Sequence, residues 1–348
     1  MENIGIDVHK TSSQICILSD DGELIERRIK TTRESFAQLL GARLPARILL
    51  EASTESEWVA QCLEGLGHEV IVADPNFAPM YATRDKKIKT DKRDARTLCE
   101  ACRLGAYRAA HRTSERQRRV RAQLSVREAL VRTRSRYISL IGALCRREGL
   151  RLPTGSSEAF ITRVEQAELP ECLRAEIEPL LQVMRAVDEQ IEQADQRLAE
   201  IVKEDQVVKR LCTAPGVGPV TAVTLAATLD SARRFSGAKQ VRCYLGLVPR
   251  EHSSGERKLR GKISKAGNKR ARSLLVEAAW TIMRSKRTET RALREWTAKV
   301  AARRGKRIAA VALARRLAGI LYAMWRDETE YDPQLLGAKE AGERRMAA

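Results

Sequence analysis

The first hundred residues alternate short apolar segments of strand type with amphipathic segments of helix type. The strand patterns lie at residues 4–8, 14–19, 23–29, 47–51 and 69–73. Asp21-Gly22 is a hairpin signal that joins the second strand to the third. The order is therefore βββαβαβ, followed by further helix. A three-stranded meander that continues into alternating helices and strands requires a mixed sheet covered by helices.

The remainder of the chain is predicted to be helical. Residues 114–150 form a long basic helix pattern, and apolar residues then recur every three or four positions from Leu173 to Ile201. Pro179 either begins or kinks this second helix. Its seam is typical of a coiled coil that joins protomers or folds back on the preceding helix. An ordinary helix packed on its own domain is an equal alternative.

These patterns predict an α/β plus all-α protein. The sheet order is that of the ribonuclease-H-like fold. We predict this domain at residues 1–110, a basic helix and coiled-coil segment at 111–205, a helical domain at 206–331 and a flexible tail at 332–348.

Charge points to a polyanionic partner. The 348 residues include 64 Lys and Arg against 45 Asp and Glu, a net charge of +19. Aromatic residues are only 4%, which favours contact with the nucleic-acid backbone over base stacking. The chain has no apolar run long enough to cross a membrane and no secretion signal, so we expect a cytoplasmic protein.

Eight cysteines are scattered along the chain and form no disulfide framework. Cys99 and Cys102 make a CxxC pair in a helix pattern, but no second pair or paired histidines complete a zinc site. We therefore expect reduced thiols.

Four carboxylates are candidates for a metal site. Asp7 lies in an apolar strand, where a charge is costly unless it is paired or metal-bound. Glu51 ends the strand expected beside it. Asp91 and Asp94 are three residues apart at the start of a helix, so they share one face. For this second pair the alternative is structural, with Asp91 as the N-cap and Asp94 in the first turn.

Carboxylates this close need a cation. At about 4 Å, two like charges repel by roughly 4 kcal/mol at an effective dielectric near 20. Carboxylate oxygens without histidine or thiolate select Mg²⁺ or Mn²⁺. Such ions support displacement at phosphorus, which indicates phosphoryl transfer on nucleic acid.

Further candidates lie in the second half of the chain. Gly216 and Gly218 are part of a Pro-Gly-Val-Gly-Pro turn, which is either a phosphate-binding helix-hairpin-helix turn or an ordinary interhelical turn. A serine, Ser254, precedes a glycine in a loop, where a turn function is the usual one. The basic residues predicted to contact nucleic acid are Arg119, Arg121, Arg257, Lys258, Arg260, Lys265 and Lys269.

Six short segments, in the same order along the chain, carry a family resemblance. They are residues 5–10 (Gly-Ile-Asp-Val-His-Lys), 50–53 (Leu-Glu-Ala-Ser), 89–95 (Lys-Thr-Asp-Lys-Arg-Asp-Ala), 215–218 (Pro-Gly-Val-Gly), 246–249 (Gly-Leu-Val-Pro), and 254–255 (Ser-Gly) with 263–267 (Ile-Ser-Lys-Ala-Gly). Together they resemble the DEDD transposases of the IS110 insertion-sequence family. The resemblance spans nearly the whole chain.

This resemblance implies a RuvC-like domain, a coiled coil and a C-terminal transposase domain. It also implies that Asp7, Glu51, Asp91 and Asp94 are the acidic ligands and that Ser254 is the nucleophile, forming a covalent DNA-serine intermediate. A structured bridge RNA from the element would pair with donor and target DNA, so that base pairing selects the sequence. Self-association as a dimer or tetramer is expected. Ser253 adjoins the predicted nucleophile, and His252 is a further candidate for proton removal.

Three other functions compete with this interpretation. A metal-dependent nuclease or junction resolvase would use water, and Ser254 would then be a turn residue. An actin-like or sugar-kinase ATPase also opens with a strand that carries Asp, but no second phosphate loop is found. A non-catalytic basic scaffold or repressor would not need Asp7.

Overall fold

The computed structural model describes residues 1–81, 90–254 and 257–334, together with the side chains of all of these except 252–260. The chain divides into two compact units, residues 1–113 and 114–348. The tail from residue 335 and Gly255 lie outside the described residues.

The first unit is built on a mixed sheet. Its strands are β1 (Asn3–Val8), β2 (Ser12–Leu18), β3 (Leu24–Lys30), β4 (Arg47–Glu51) and β5 (Glu69–Ala73), and its helices are α1 (Arg33–Leu40), α2 (Ser56–Gly65) and α3 (Asp91–Leu104). In the described part of this unit, the five strands are ordered β3-β2-β1-β4-β5. β1, β2 and β3 pair antiparallel, whereas β1, β4 and β5 pair parallel. This confirms the predicted meander with its parallel extension.

The two faces of the sheet pack against different helices. Ile6 and Leu50 lie on one face, in a cluster that includes Phe36 of α1. Leu49 lies on the opposite face, in a cluster with Leu98 of α3. Alternation of side chains along each strand produces this division. Burying an aliphatic side chain of this size contributes roughly 1.5–3 kcal/mol.

β1 and α3 come into contact at Gly5. A Cβ atom at this position would lie 2.2 Å from the backbone nitrogen of Cys99 and 2.3 Å from the backbone oxygen of Ala95. Only a residue without a side chain allows the helix backbone to lie this close to the strand. Gly5 thereby fixes the position of α3 on the sheet.

The second unit is mostly helical. Its elements are α4 (Glu115–Arg147), α5 (Phe160–Glu165), α6 (Glu171–Glu204), α7 (Gln206–Leu211), α8 (Pro219–Leu229), α9 (Ala238–Tyr244), β6 (Pro249–Ser254), β7 (Arg257–Ile263), α10 (Lys269–Arg284), α11 (Arg291–Arg304) and α12 (Lys306–Arg326). The fold class predicted from the sequence, an α/β domain followed by a helical one, is confirmed.

The helices α4 and α6 form an antiparallel hairpin within the chain. Ile177 packs with Ile141 at one end, and Leu198 belongs to the same cluster as Val120 at the other. An ion pair joins Arg134 Nη1 to Asp188 Oδ1 at 3.1 Å between these ends. The apolar seam of α6 therefore packs against α4 of its own chain, which is one of the alternatives that the sequence left open.

The structure corrects one detail of the α6 prediction and decides another. A repeat of fours and threes from Leu173 through Ile177 predicts Leu180 as the next buried residue, but Leu181 is buried in its place and Leu180 is only partly buried. The helix begins at Glu171 and continues through Pro179, so this proline does not begin it. A helix that packs against one neighbour can shift its buried stripe by one position, because the stripe is wider than a single residue.

The helix α12 lies at the centre of the second unit's core. By length and composition alone it could cross a membrane, and it is the one such helix among the described residues. Leu313, Leu317 and Leu321 are, however, fully buried in a cluster shared with α8 and α10. The apolar character of α12 is thus accounted for by packing within the unit.

A β-hairpin interrupts the helical unit where the sequence predicted a loop. In the described backbone, β6 and β7 pair antiparallel, and Ser254 at the end of β6 pairs with Arg257 at the start of β7. These strands are mostly polar or charged, so they lack the apolar alternation that predicts a strand.

Candidate functional site

The candidate acidic residues of the sheet lie at neighbouring strand ends. The parallel register pairs Ile6 of β1 with Leu50 of β4. Asp7 and Glu51 are the next residues along these strands, so they lie beside each other at the same edge of the sheet. Glu51 also accepts a hydrogen bond from the hydroxyl of Tyr81. The sheet thus places the two carboxylates as the sequence predicted.

The first turn of α3 supplies the other two carboxylates. Thr90 is the N-cap, and its side-chain oxygen accepts a hydrogen bond from the backbone nitrogen of Arg93 at 3.3 Å. Asp91 and Asp94 both follow in the first turn. The alternative in which Asp91 is the N-cap is therefore wrong, because a threonine one position earlier does this. The positive end of the helix favours both carboxylates.

A histidine that the sequence analysis did not select joins this cluster. His9 Nε2 lies 3.2 Å from Asp7 Oδ2 and 3.5 Å from Asp91 Oδ1. One ligand atom from each of these three residues lies within 4.8 Å of the other two. The sequence signal for His9 was its spacing from Asp7. Side chains two residues apart in an extended chain lie on the same face, so His9 is expected on the side of Asp7. An imidazole thus lies beside the carboxylates that the sequence selected.

The surroundings of Asp7 on balance disfavour its ionised form. Asp7 is only 9% exposed. Burial raises the pKa of the Asp7 carboxyl, and the charges of Asp94 and Asp91 raise it further, whereas His9 lowers it. Carboxylates crowded in this way with an imidazole form a donor set that suits a divalent metal ion. Asp7, His9 and Asp91 therefore fit such an ion.

The predicted nucleophile lies in the second unit, on the β6–β7 hairpin. The side chains of Ser254, Arg257, Lys258 and Arg260 lie outside the described residues, as do those of Ser253 and His252. Hydrogen bonds from Arg272 stabilise the segments on either side of the hairpin. Arg272 Nη1 donates hydrogen bonds to the backbone oxygens of Leu245 at 3.0 Å and Ala266 at 2.7 Å.

The glycine turn between α7 and α8 has two different glycines. Gly216 has a φ of +75°, and a Cβ there would lie 2.7 Å from the backbone oxygen of Ala278 in α10. Gly218 is the N-cap of α8, and a Cβ there would meet no atom within 4 Å in the described part of the chain. Gly216 is therefore required by the fold, whereas Gly218 is not.

We expect Gly216→Ala to lower the free energy of unfolding by about 1–2 kcal/mol, because alanine is strained at positive φ and its Cβ overlaps α10. Gly218→Ala should change it by well under 1 kcal/mol. Chemical denaturation measures both variants. Equal stabilities for the two would contradict the structural function of Gly216.

The predicted basic contacts fall into two groups. Arg121 donates hydrogen bonds from Nε to the backbone oxygen of Ala227 at 2.8 Å and from Nη2 to that of Thr228 at 3.1 Å. These bonds satisfy carbonyls at the end of α8, so we assign Arg121 to the fold. Arg119 is exposed beside Glu115, and Lys265 and Lys269 are exposed near the hairpin base.

The sheet order and the carboxylates at its edge define the class of the first unit. A mixed sheet with acidic residues on its central strands and in the first turn of a packed helix has the architecture of a RuvC-like domain. A family model described as a transposase, of the DEDD IS110 type, matches residues 4–146. A second, described as "Transposase IS116/IS110/IS902 family", matches residues 208–295.

Similar proteins agree with these matches along the chain. A "Probable family 20 transposase" of Pseudomonas aeruginosa is 30% identical, over 96% of this chain and 99% of its own length. The "Transposase for insertion sequence element IS1328" of Yersinia enterocolitica is 30% identical, over 92% and 96%. The "Transposase for insertion sequence element IS1111A" of Coxiella burnetii is 28% identical, over 94% and 90%. The protein belongs to the IS110/IS116/IS902 family of DEDD transposases and is a DNA transposase.

Proposed function

We propose that this transposase cuts and rejoins donor and target DNA by metal-dependent phosphoryl transfer, guided by a structured RNA that the element encodes. The observation that carries the chemistry is the meeting of ligand atoms from Asp7, His9 and Asp91 within 4.8 Å of one another. Residues far apart in the sequence converge there on one edge of the sheet. The three ligand atoms are close enough together for one divalent cation to contact all of them.

The residues proposed to hold the metal are Asp7, Asp91 and Asp94, with His9 beside them and Glu51 on the neighbouring strand. We propose Mg²⁺ or Mn²⁺, because most of these donors are carboxylate oxygens. When bound, the ion supplies positive charge for the developing negative charge on the phosphate oxygens. Imidazole binds Mn²⁺ more readily than Mg²⁺. The position of His9 between Asp7 and Asp91 therefore favours Mn²⁺ as the more tightly bound ion.

Ser254 is the proposed nucleophile. Its hydroxyl oxygen would form a bond to the scissile phosphorus while the bond from phosphorus to the leaving deoxyribose oxygen breaks. The serine proton leaves to a base, and the leaving oxygen gains a proton, so one phosphodiester is replaced by a serine phosphodiester. A hydroxyl of the second DNA partner would then attack this phosphorus and release the serine.

The charge of the chain supports partners that are all nucleic acids. A net charge of +19 suits both DNA and a guide RNA, because phosphates dominate the affinity. Base pairing would select the sequence, so the protein needs to hold only shape and phosphates. We propose that dimers or tetramers assemble on this DNA and RNA in the cytoplasm.

The test is a search for a covalent protein-DNA adduct. Protein, Mn²⁺ or Mg²⁺, RNA transcribed from the element's flanks and both labelled DNA partners are incubated, and denatured samples are separated by electrophoresis. We expect an adduct with the unaltered protein and with Ser253→Ala, and none with Ser254→Ala. An adduct that survives Ser254→Ala would overturn the serine mechanism.

A second candidate is a RuvC-like nuclease or resolvase that uses water as the nucleophile. It is favoured by the fact that Asp7, His9 and Asp91 come together within the first unit alone. This candidate predicts that Ser254→Ala still cuts DNA, with no adduct in either protein. The same gel separates the two functions, because cleaved DNA and adduct migrate differently.

A further inference from the structure

A cavity lies between the last turns of α4 and α5, at one end of the helical hairpin. Its volume is about 610 Å³, and its lining residues all fall between Ile138 and Arg163 in the second unit. Small-molecule sites have volumes of roughly 300–1,000 Å³. This α4–α5 cavity is therefore large enough for a ligand of nucleotide size.

Three arginines line the α4–α5 cavity. They are Arg146 near the end of α4, Arg151 in the loop that follows and Arg163 in α5. In the described part of the chain, no carboxylate lines the cavity and none forms an ion pair with these three residues. Arg146 and Arg151 are also exposed, so a ligand from solution can reach them.

The carboxylates of this region are engaged elsewhere or lie outside the cavity. Oε1 of Glu158 lies 3.0 Å from Nη2 of Arg134 in α4. Oε1 of Glu165 lies 2.7 Å from Nη2 of Arg185 in α6. Glu148, at the C-terminal end of α4, is exposed and is not among the lining residues. The positive charge of the cavity is therefore not neutralised by these local carboxylates.

Two glycines leave room for guanidinium groups in the cavity. A Cβ added at Gly155 would overlap Nη1 of Arg163 and lie 2.8 Å from its Cζ. A Cβ added at Gly142 would lie 3.3 Å from Nη1 of Arg146, four residues further along α4. Long side chains in a helix lie back over the preceding turn. The glycine at this turn therefore lets Arg146 lie close to the helix and line the cavity.

Arg163 is oriented by packing but is not saturated with hydrogen bonds. Its Nη1 donates to the carbonyl oxygen of Ser156 at 2.8 Å, and its Cζ lies 5.7 Å from the ring centroid of Phe160. Among the described residues, its Nε is buried without a hydrogen-bond acceptor. A guanidinium group has five N–H donors. This one therefore has a fixed position and keeps donors for an anion.

Apolar side chains form the other part of the lining. They belong to Ile138, Leu152, Pro153 and Phe160. Bases that are unstacked from a strand bind to apolar or aromatic surfaces and to the planes of guanidinium groups. The α4–α5 cavity thus offers one surface that suits an anion and another that suits a flat base.

We propose that the α4–α5 cavity binds a nucleotide whose base is unpaired. Arg146, Arg151 and Arg163 contact its phosphate, because guanidinium groups donate paired hydrogen bonds that match phosphate oxygens. The base packs against the apolar lining, which a base inside a duplex cannot reach. The inference rests on the proposed function only in taking nucleic acid as the ligand, and none of these residues takes part in the proposed chemistry.

The sharpest test is Gly155→Ala, which changes no charge. Gly155 is not among the glycines with positive φ, so alanine fits its backbone. The added methyl displaces the Arg163 guanidinium, which is the far end of a flexible side chain. We expect an unchanged melting temperature, together with about tenfold weaker binding of a single-stranded RNA. A merely structural function for Arg163 predicts a lower melting temperature with unchanged binding.

Two charge variants complete the experiment. Arg151→Ala should weaken binding of the same RNA and reduce the slope of log Kd against log salt by about 1, as expected for the loss of one phosphate contact. Arg197→Ala removes the same charge from an exposed position on α6, outside the cavity, and should leave the Kd within about twofold of the unaltered value. Binding is measured by fluorescence anisotropy from low to moderate salt.

Four probes identify the source of the nucleotide. They are a single-stranded RNA, a single-stranded DNA and a DNA duplex of equal length, and free adenosine monophosphate, whose binding is measured by calorimetry. Weaker binding of a single strand by both Gly155→Ala and Arg151→Ala, with duplex binding unchanged, supports the site in a strand. Weaker binding of adenosine monophosphate alone supports the site with a free nucleotide as its ligand.

Two results would overturn the proposal. Equal weakening of duplex and single-strand binding would show that the cavity contacts phosphates without an unpaired base. Unchanged binding of all four probes by both variants would show that it binds no nucleotide. Either result would leave the proposed function standing, because adduct formation at Ser254 is measured independently.

Discussion

Replacing Asp7 with asparagine should reduce DNA cleavage by at least about 10³-fold, equivalent to roughly 4 kcal/mol of transition-state stabilisation. Asparagine has the same shape but lacks the negative charge that faces Asp91 and His9. We expect the loss in kcat with Mg²⁺ and with Mn²⁺ alike, measured as cleavage of a labelled DNA partner under saturating protein.

The fold should tolerate this change. Because burial raises the pKa of Asp7 above its usual value, its ionised form is destabilising at neutral pH, so the metal-free Asp7→Asn protein should be as stable as the unaltered one or more so. Mn²⁺ should raise the melting temperature of the unaltered protein and leave that of Asp7→Asn unchanged. Asp21→Asn, in the exposed turn between β2 and β3, is the matched control and should keep both properties. Unchanged cleavage by the Asp7→Asn protein would contradict the assignment of Asp7 to the active site.

Gly5→Ala should destabilise the first unit by about 3 kcal/mol, which is near the upper end for overpacking. The new methyl would lie 2.2 Å from the Cys99 nitrogen and 2.3 Å from the Ala95 oxygen. Both are backbone atoms of α3, which cannot rotate away as a side chain can. The helix must move as a body, and it carries Asp91 and Asp94 with it. Cleavage should fall by at least tenfold even where the variant remains folded.

The control for this substitution is Gly65→Ala. Gly65 is the last residue of α2, and an added Cβ there meets no atom within 4 Å in the described part of the unit. We expect it to be neutral or stabilising by up to about 1 kcal/mol, because alanine favours a helix over glycine. Urea denaturation of both variants measures the difference. Equal stability for the two would show that α3 does not depend on Gly5.

The strands of the sheet could be predicted because buried strands have a recognisable pattern of apolar residues in the sequence. β1, β4 and β5 are short apolar runs, and β2 is joined to β3 by an Asp-Gly turn. The polar hairpin β6–β7 has no such apolar pattern. Its strands are held by backbone pairing, to which any sequence of extended residues can contribute.

The same division applies to the site. The positions of Asp7 and Glu51 followed from the sheet, because parallel neighbours end at one edge. The spacing of His9 from Asp7 indicated a shared face, but its contact with Asp91 could not be predicted, since Asp91 is more than eighty residues away and belongs to a different element. The N-cap of α3 is Thr90 and not Asp91. Threonine and aspartate both cap helices well, so the sequence alone could not decide between these neighbours.

The amino-acid sequence by itself determined the mixed sheet, the helical second half, the transposase family and the acidic residues, because each depends on the order and spacing of neighbours along the chain. Only the tertiary structure decided that His9 joins Asp7 and Asp91, and that Gly5 sets how closely α3 packs on the sheet. Each of these contacts joins separate elements. Its distance is set by how whole helices and strands pack, and the local sequence holds no measure of that packing.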